Sequence, residues 1–215
     1  MRPCWILTYG RTGSTYLSRL LNSTNAFDPL FYEHYGEHRD VEEVPPAYNK
    51  MMNIQYRNAK KKGQILNEYY PDMCFVYLRR KNIVAAAVSK YFVDKTNVYN
   101  HNVAQKVKKY KHKEIPYHRD ELIKAYQIKL TEYHFWDAFV QDKDHIEVYY
   151  EDVIANPEKQ VRRVMKIVGA EFNGFHPDKN GDNLFMELTV KLEHPDKDRY
   201  TRRLRKELTK RGILA

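Results

Sequence analysis

Two kinds of hydrophobic pattern share the chain: short unbroken apolar runs, and longer stretches in which apolar residues recur every three or four positions. Residues 4–8, Cys-Trp-Ile-Leu-Thr, form one such run and residues 74–78, Cys-Phe-Val-Tyr-Leu, form another. Runs of this length without alternation suit strands covered on both faces. From about Ser14, Leu17, Leu20, Leu21 and Thr24 share a helical face, and Ile83 to Phe92 reads as a second helix. The segment from Asp120 to Val140 predicts a long amphipathic helix, because Ile123, Tyr126, Leu130, Tyr133, Trp136 and Val140 step by three and four. Residues 145–150, His-Ile-Glu-Val-Tyr-Tyr, read as a third strand. A further helix is bracketed by Asn156 as N-cap, Pro157 at its first position and Gly169 at its end. The stretch from Asp196 to Arg211 reads as a basic helix or an ordered basic loop.

Strands alternating with helices predict an α/β fold: three layers, P-loop-like, with a central parallel sheet flanked by helices. There is no internal repeat and no low-complexity linker, so residues 1–215 are expected to form a single domain with a basic C-terminal segment, 196–215.

Lys and Arg number 37 against 28 Asp and Glu, a formal charge of +9. That surplus favours a polyanionic partner: a nucleic acid, an acidic surface, or a highly phosphorylated small molecule. No apolar run approaches the ~20 residues of a membrane span. Met1-Arg2-Pro3 leads into only four apolar residues, which is not the pattern of a secretory leader. Cys4 and Cys74 both fall in runs read as buried strands, and buried free thiols fit a reducing, cytoplasmic compartment. Neither a paired CxxC nor an HExxH motif is present, so no zinc site is expected.

Two elements carry chemistry. In the first, Tyr9-Gly10-Arg11-Thr12-Gly13-Ser14-Thr15-Tyr16-Leu17 lies between a strand and a helix. There the first N–H groups of the helix and its dipole favour an anion. Gly10 and Gly13 permit a tight turn, Thr12, Ser14 and Thr15 offer hydroxyls, and Arg11 adds a forked cation. The result is a phosphate cradle, although not a Walker A loop, which would need a Lys after the second Gly of a longer turn. In the second element, the strand at 74–78 runs into Arg79-Arg80-Lys81-Asn82, with Ser89 further along the next helix. Arg80 stands at the carboxyl end of a parallel strand, where ligands bind in open α/β sheets.

Together these residues resemble the PAPS-dependent sulfotransferases, which use 3′-phosphoadenosine-5′-phosphosulfate as donor. Arg11-Thr12-Gly13-Ser14-Thr15 resembles their loop for the 5′-phosphosulfate. Tyr77-Leu78-Arg79-Arg80 through Ser89 resembles the element that holds the 3′-phosphate by an Arg and a Ser. Tyr150-Glu151-Asp152 with Asn156-Pro157 beyond it resembles a third segment, whose Tyr contacts the adenine. Within the family, the run Ser14-Thr15-Tyr16-Leu17-Ser18-Arg19-Leu20-Leu21, which carries the loop into its helix, looks most like the bacterial glycolipid and nodulation-factor enzymes. The C-terminal Arg-Lys-Gly segment of the cytosolic sulfotransferases is absent as such; Arg202-Arg203 or Arg205-Lys206 are candidates to replace it, and suit a solvated charged helix face equally well.

The resemblance implies transfer of a sulfuryl group from PAPS to an acceptor hydroxyl, with PAP as product, no metal requirement and a carbohydrate or glycolipid as acceptor. Arg11 and the loop amides would stabilise charge on the leaving nucleotide. The resemblance also implies a general base, for which Glu33 is the first candidate, with Glu37, His34 and His38 as rivals. The eighteen tyrosines suit sugar stacking and core edges equally well. The basic stretch from Lys106 to Lys113 suits an acidic glycan or a solvated face. Two other functions share some of these features. A P-loop kinase or NTPase would use the same cradle but lacks its Lys here, and a basic nucleic-acid-binding module would leave the glycine loop without a purpose.

Overall fold

The computed structural model describes residues 1–27, 48–52, 56–57, 70–97, 113–176 and 194–214. They belong to two compact units, one of Met1–Lys81 with His134–Leu188 and the other of Asn82–Tyr133 with Thr189–Ala215.

The first unit is built on a four-stranded sheet of β1 (Cys4–Thr8), β2 (Tyr48–Met52), β3 (Cys74–Arg79) and β4 (His145–Tyr149). All neighbours pair in parallel and the order is β2-β1-β3-β4. Alternation along the strands divides their side chains between two faces. On one, Cys4, Ile6, Cys74, Val76, Leu78 and Val148 form a core with α1 (Ser14–Asn22) and α5 (Pro157–Val168). On the other, Phe75 meets Phe139 edge-on at 5.4 Å, and Trp136 donates from Nε1 to the carbonyl of Thr8 at 2.8 Å. Phe139 and Trp136 lie on α3 (Arg119–Val140), whose earlier turns belong to the second unit. Helix, sheet and helix are the three layers that the continuous apolar strands require.

α5 has the ends its sequence predicts: Asn156 Oδ1 accepts from the Lys159 amide at 3.0 Å, Pro157 opens the helix, and Gly169 closes it at φ 71°. Tyr150, which the hydrophobic pattern assigns to the end of a strand, instead starts the short helix α4 (Tyr150–Ala155). Glu151 and Asp152 in its first turn suit the positive end of a helix dipole, which favours helix over a sixth strand residue. β2 has no counterpart in the sequence reading, since Tyr-Asn-Lys-Met-Met is neither an apolar run nor a clean alternation.

In the second unit, α2 (Ile83–Thr96), the first part of α3 and α6 (Asp196–Lys210) close a core of Val88, Tyr91, Phe92, Leu122, Tyr126, Tyr200, Leu204 and Leu208. The basic tail is therefore a helix anchored by Tyr200, Leu204 and Leu208, four residues apart. Among the described residues no helix is long and apolar enough to cross a membrane.

Candidate active site

β2 and β3 flank β1 on opposite sides, so the connections leaving β1 and β3 diverge where the strand order reverses. At such a switch point the carboxyl ends of two adjacent strands open a crevice for ligand. The loop 9–13 leaves β1 there and Arg80-Lys81 leaves β3 there. Both sequence elements thus converge on one edge of one sheet.

The loop is tightly wound. Arg11 holds φ 71° and Gly13 holds φ 87°, both left-handed. For Arg11 this is a conformation that costs a non-glycine residue about 1–2 kcal/mol. What holds it is Thr12, fully buried, whose hydroxyl donates to the Tyr9 carbonyl at 3.0 Å and meets the hydroxyl of Thr8. Thr12 therefore braces the loop from within, and its hydroxyl is turned inward rather than offered to a ligand. Gly13 is the N-cap of α1, where no side chain caps the helix and no acidic residue stands in the first turn. The first-turn amides and the helix dipole at Ser14 and Thr15 suit an anion.

β3 ends within the basic cluster, between Arg79 and Arg80. Arg79 turns to the α3 face, where its guanidinium pairs with Glu147 at 2.6 Å and Asp137 at 3.2 Å. Arg80, one residue on, lies with its Cζ 3.8 Å above the centre of the Tyr150 ring. Burial pulls the Arg80 pKa below its ordinary value, opposed by Tyr150 and Glu151, yet a guanidinium stays charged at any working pH. Tyr150 also packs against Gly13: a Cβ built on that glycine would lie 2.2 Å from Cδ2 of the ring. The next two residues of α4 fasten the turn after β3. Glu151 Oε2 accepts from the Lys81 amide at 2.9 Å, and Asp152 Oδ1 lies 2.5 Å from Lys81 Nζ. The three sequence elements are thus joined through one stack, Gly13–Tyr150–Arg80, with a planar cation beside an uncapped helix start.

A family model described as "Sulfotransferase family" matches residues 57–174, more than half of the chain. The chain belongs to the sulfotransferase family. The matched stretch holds Arg80, Ser89 and Tyr150, and the loop at 10–15 precedes it. No curated protein matches the chain. Among solved structures, a sulfotransferase from Alicyclobacillus acidocaldarius is similar at a TM-score of 0.49 and 11% identity, covering 99% of this chain and 96% of that one. The mouse sulfotransferase SULT7A1 complexed with PAP is similar at 0.49 and 13% identity, covering 97% of this chain and 82% of that one.

The remaining predicted residues of this sulfotransferase fall in different places. Arg11, Ser14 and Thr15 are half-buried at the loop and the start of α1. Ser89 lies half-buried on α2, in the second unit. Arg202, Arg203, Arg205 and Lys206 are exposed on α6, where Arg203 covers the Tyr117 ring at 3.8 Å and Arg205 reaches Oδ1 of Asn82, the N-cap of α2, at 3.4 Å. Glu33, His34, Glu37 and His38 lie outside the described residues, as do residues 106–112. Among the described residues no group of three His, Cys, Asp or Glu side chains is placed to hold a metal ion.

One residue at the site has no precedent in the sequence reading. Lys50, central in β2 and only 5% exposed, extends Nζ to within 3.2 Å of Thr15 Oγ1. Its neighbours gave it no motif, and only the pairing of β2 with β1 brings it to the loop.

Proposed function

We propose that this sulfotransferase moves a sulfuryl group from PAPS to a hydroxyl of a carbohydrate or glycolipid acceptor. The observation that carries the reading is the convergence, at the carboxyl ends of β1 and β3, of the uncapped start of α1 with the Gly13–Tyr150–Arg80 stack. A nucleotide with a phosphosulfate at one end and a phosphate at the other needs two cationic seats joined by a flat surface. Arg11 and the first-turn amides of α1 supply one seat. Arg80 supplies the other, and the Tyr150 ring lies beside it. Ser89 joins Arg80 at the 3′-phosphate, and Tyr150 meets the adenine, on the strength of the family resemblance.

In the reaction the acceptor oxygen attacks sulfur, and the bond from sulfur to the bridging oxygen of the 5′-phosphate breaks with its electron pair going to that oxygen. PAP leaves, and the acceptor proton passes to a base, for which Glu33 is the first candidate ahead of Glu37, His34 and His38. Charge grows on the bridging oxygen, so Arg11 and the α1 amides act more strongly in the transition state than in the ground state. The reading calls for no metal. Its bacterial-type carbohydrate acceptor rests on the run from Ser14 to Leu21. A reducing, cytoplasmic setting is supported by Cys4 and Cys74, free and buried side by side on β1 and β3.

The test tracks labelled PAPS into a panel of glycan and glycolipid acceptors. The proposal expects label on an acceptor hydroxyl with matching release of PAP. It also expects Glu33→Gln to bind PAP as the wild type does while transferring nothing. PAPS left intact against every hydroxyl acceptor would overturn the activity, and wild-type turnover in Glu33→Gln would remove Glu33 from it.

A further inference from the structure

We infer that Lys50 is a positioning residue of the donor site, holding Thr15 as a hydrogen-bond donor to the 5′-phosphosulfate; the inference rests on the proposed use of PAPS. Lys50 pairs with Ile6 across β1 and β2, so its side chain rises on the α1 face of the sheet, on the same side as Ile6 and Tyr48 of the core. An ammonium in that setting is costly unless it is hydrogen-bonded.

The direction of the Lys50–Thr15 bond gives the lysine its role. An ammonium carries three protons and no lone pair, so Thr15 Oγ1 must accept from it. The proton of Thr15 is then left for a different acceptor. Thr15 is the second residue of α1, in the turn where amides and dipole already favour an anion. Thr12 is the contrast, with its hydroxyl held by Thr8 and Tyr9 inside the loop. Lys50 thus sets the polarity of one hydroxyl and adds a buried positive charge behind it, where screening by water is weak.

The experiment compares wild type, Lys50→Met, Lys50→Gln, Thr15→Val and the Lys50→Met/Thr15→Val double variant. Calorimetry measures PAP, adenosine 3′-phosphate (which lacks the 5′ group) and inorganic pyrophosphate, alongside melting temperatures. Lys50→Met is expected to bind PAP about 10- to 100-fold more weakly, the loss of one charge-assisted bond. Adenosine 3′-phosphate should bind unchanged. Lys50→Gln, which keeps an N–H without the charge, should fall between. The double variant should lose little more than either single one, because the two residues act through one bond. Unchanged PAP affinity in Lys50→Met, equal losses for both nucleotides, or single losses that multiply would each overturn the inference. If wild type ignores PAP yet binds pyrophosphate in a Lys50-dependent way, the PAPS reading fails and the role of Lys50 stands. If it binds neither, both fall.

Discussion

Gly13→Ala separates backbone strain from steric contact at the loop. Gly13 sits at φ 87°, where a side chain costs about 1–2 kcal/mol. The new Cβ would also stand 2.2 Å from Cδ2 and 2.5 Å from Cε2 of Tyr150. No pair of carbons approaches so closely, and the ring that must move carries the Arg80 guanidinium on its face. Overpacking of this kind costs about 1–3 kcal/mol, so the expected total is about 2–5 kcal/mol. Gly169→Ala is the internal control. That residue is also left-handed, at φ 71°, but a Cβ there would meet nothing within 4 Å, leaving only the strain of about 1–2 kcal/mol. Urea unfolding of both variants at matched slopes reads the difference. Repeating Gly13→Ala in a Tyr150→Ala background should remove the contact part and return the cost to that of Gly169→Ala. If Gly13→Ala costs no more than Gly169→Ala, or costs the same with and without the Tyr150 ring, the packing of Tyr150 on the loop is wrong.

Three further predictions concern the scaffold around the site. Trp136→Phe keeps most of the ring packing but leaves the buried Thr8 carbonyl without the indole N–H, and should lower stability by about 1–3 kcal/mol in urea melts; a neutral result would mean that bond contributes nothing. Burial works against ionisation of Glu147, but hydrogen bonds from Tyr149 and Arg79 outweigh it and hold the carboxyl below its ordinary pKa. A depressed carboxylate stabilises the fold above its unfolded pKa of about 4.3 and loses that effect as pH falls through the folded value. Glu147→Gln should therefore be less stable than wild type near neutrality, with the gap closing in acid; a gap constant down to acid pH would contradict the assignment. Asp152→Asn removes the solvent-exposed pair with Lys81 and one first-turn charge of α4, two small effects that together should cost under about 2 kcal/mol in urea melts, and a larger loss would mean that Asp152 fastens the β3 turn on its own.

Much of this architecture is legible in the sequence wherever one residue type decides one local conformation. β1 and β3 announce themselves as apolar runs because both faces of the sheet are covered, and α5 is bracketed by Asn156, Pro157 and Gly169 for reasons that act within a single turn. β2 is hidden for the opposite reason. Its central residue, Lys50, is a charge on the core side of a strand, and its hydrogen bond to Thr15 joins segments that no local pattern links. Thr12 and Thr15 look alike in the loop motif, yet one hydroxyl is spent inside the loop and the other lies beside a buried ammonium. Arg79 and Arg80 look alike too, yet Arg79 at the end of β3 pairs with Glu147 and Asp137, while Arg80 just beyond the strand stacks on Tyr150. Tyr150 is legible as part of a motif, but its contacts with Gly13 and Arg80 join segments more than a hundred residues apart in one case and seventy in the other, which no local pattern encodes. The stretch holding Glu33 lies outside the described residues, so the base is argued from resemblance alone.

The central question is which nucleotide fills the crevice between the β1 loop and Arg80. Calorimetric titration with PAP, set against ATP with Mg²⁺, asks this directly and needs no knowledge of the acceptor. A PAPS-dependent sulfotransferase should bind PAP at micromolar concentration, in preference to ATP with Mg²⁺, and lose that binding in both Arg11→Ala and Arg80→Ala. Absence of PAP binding, or a preference for ATP with Mg²⁺, would contradict it.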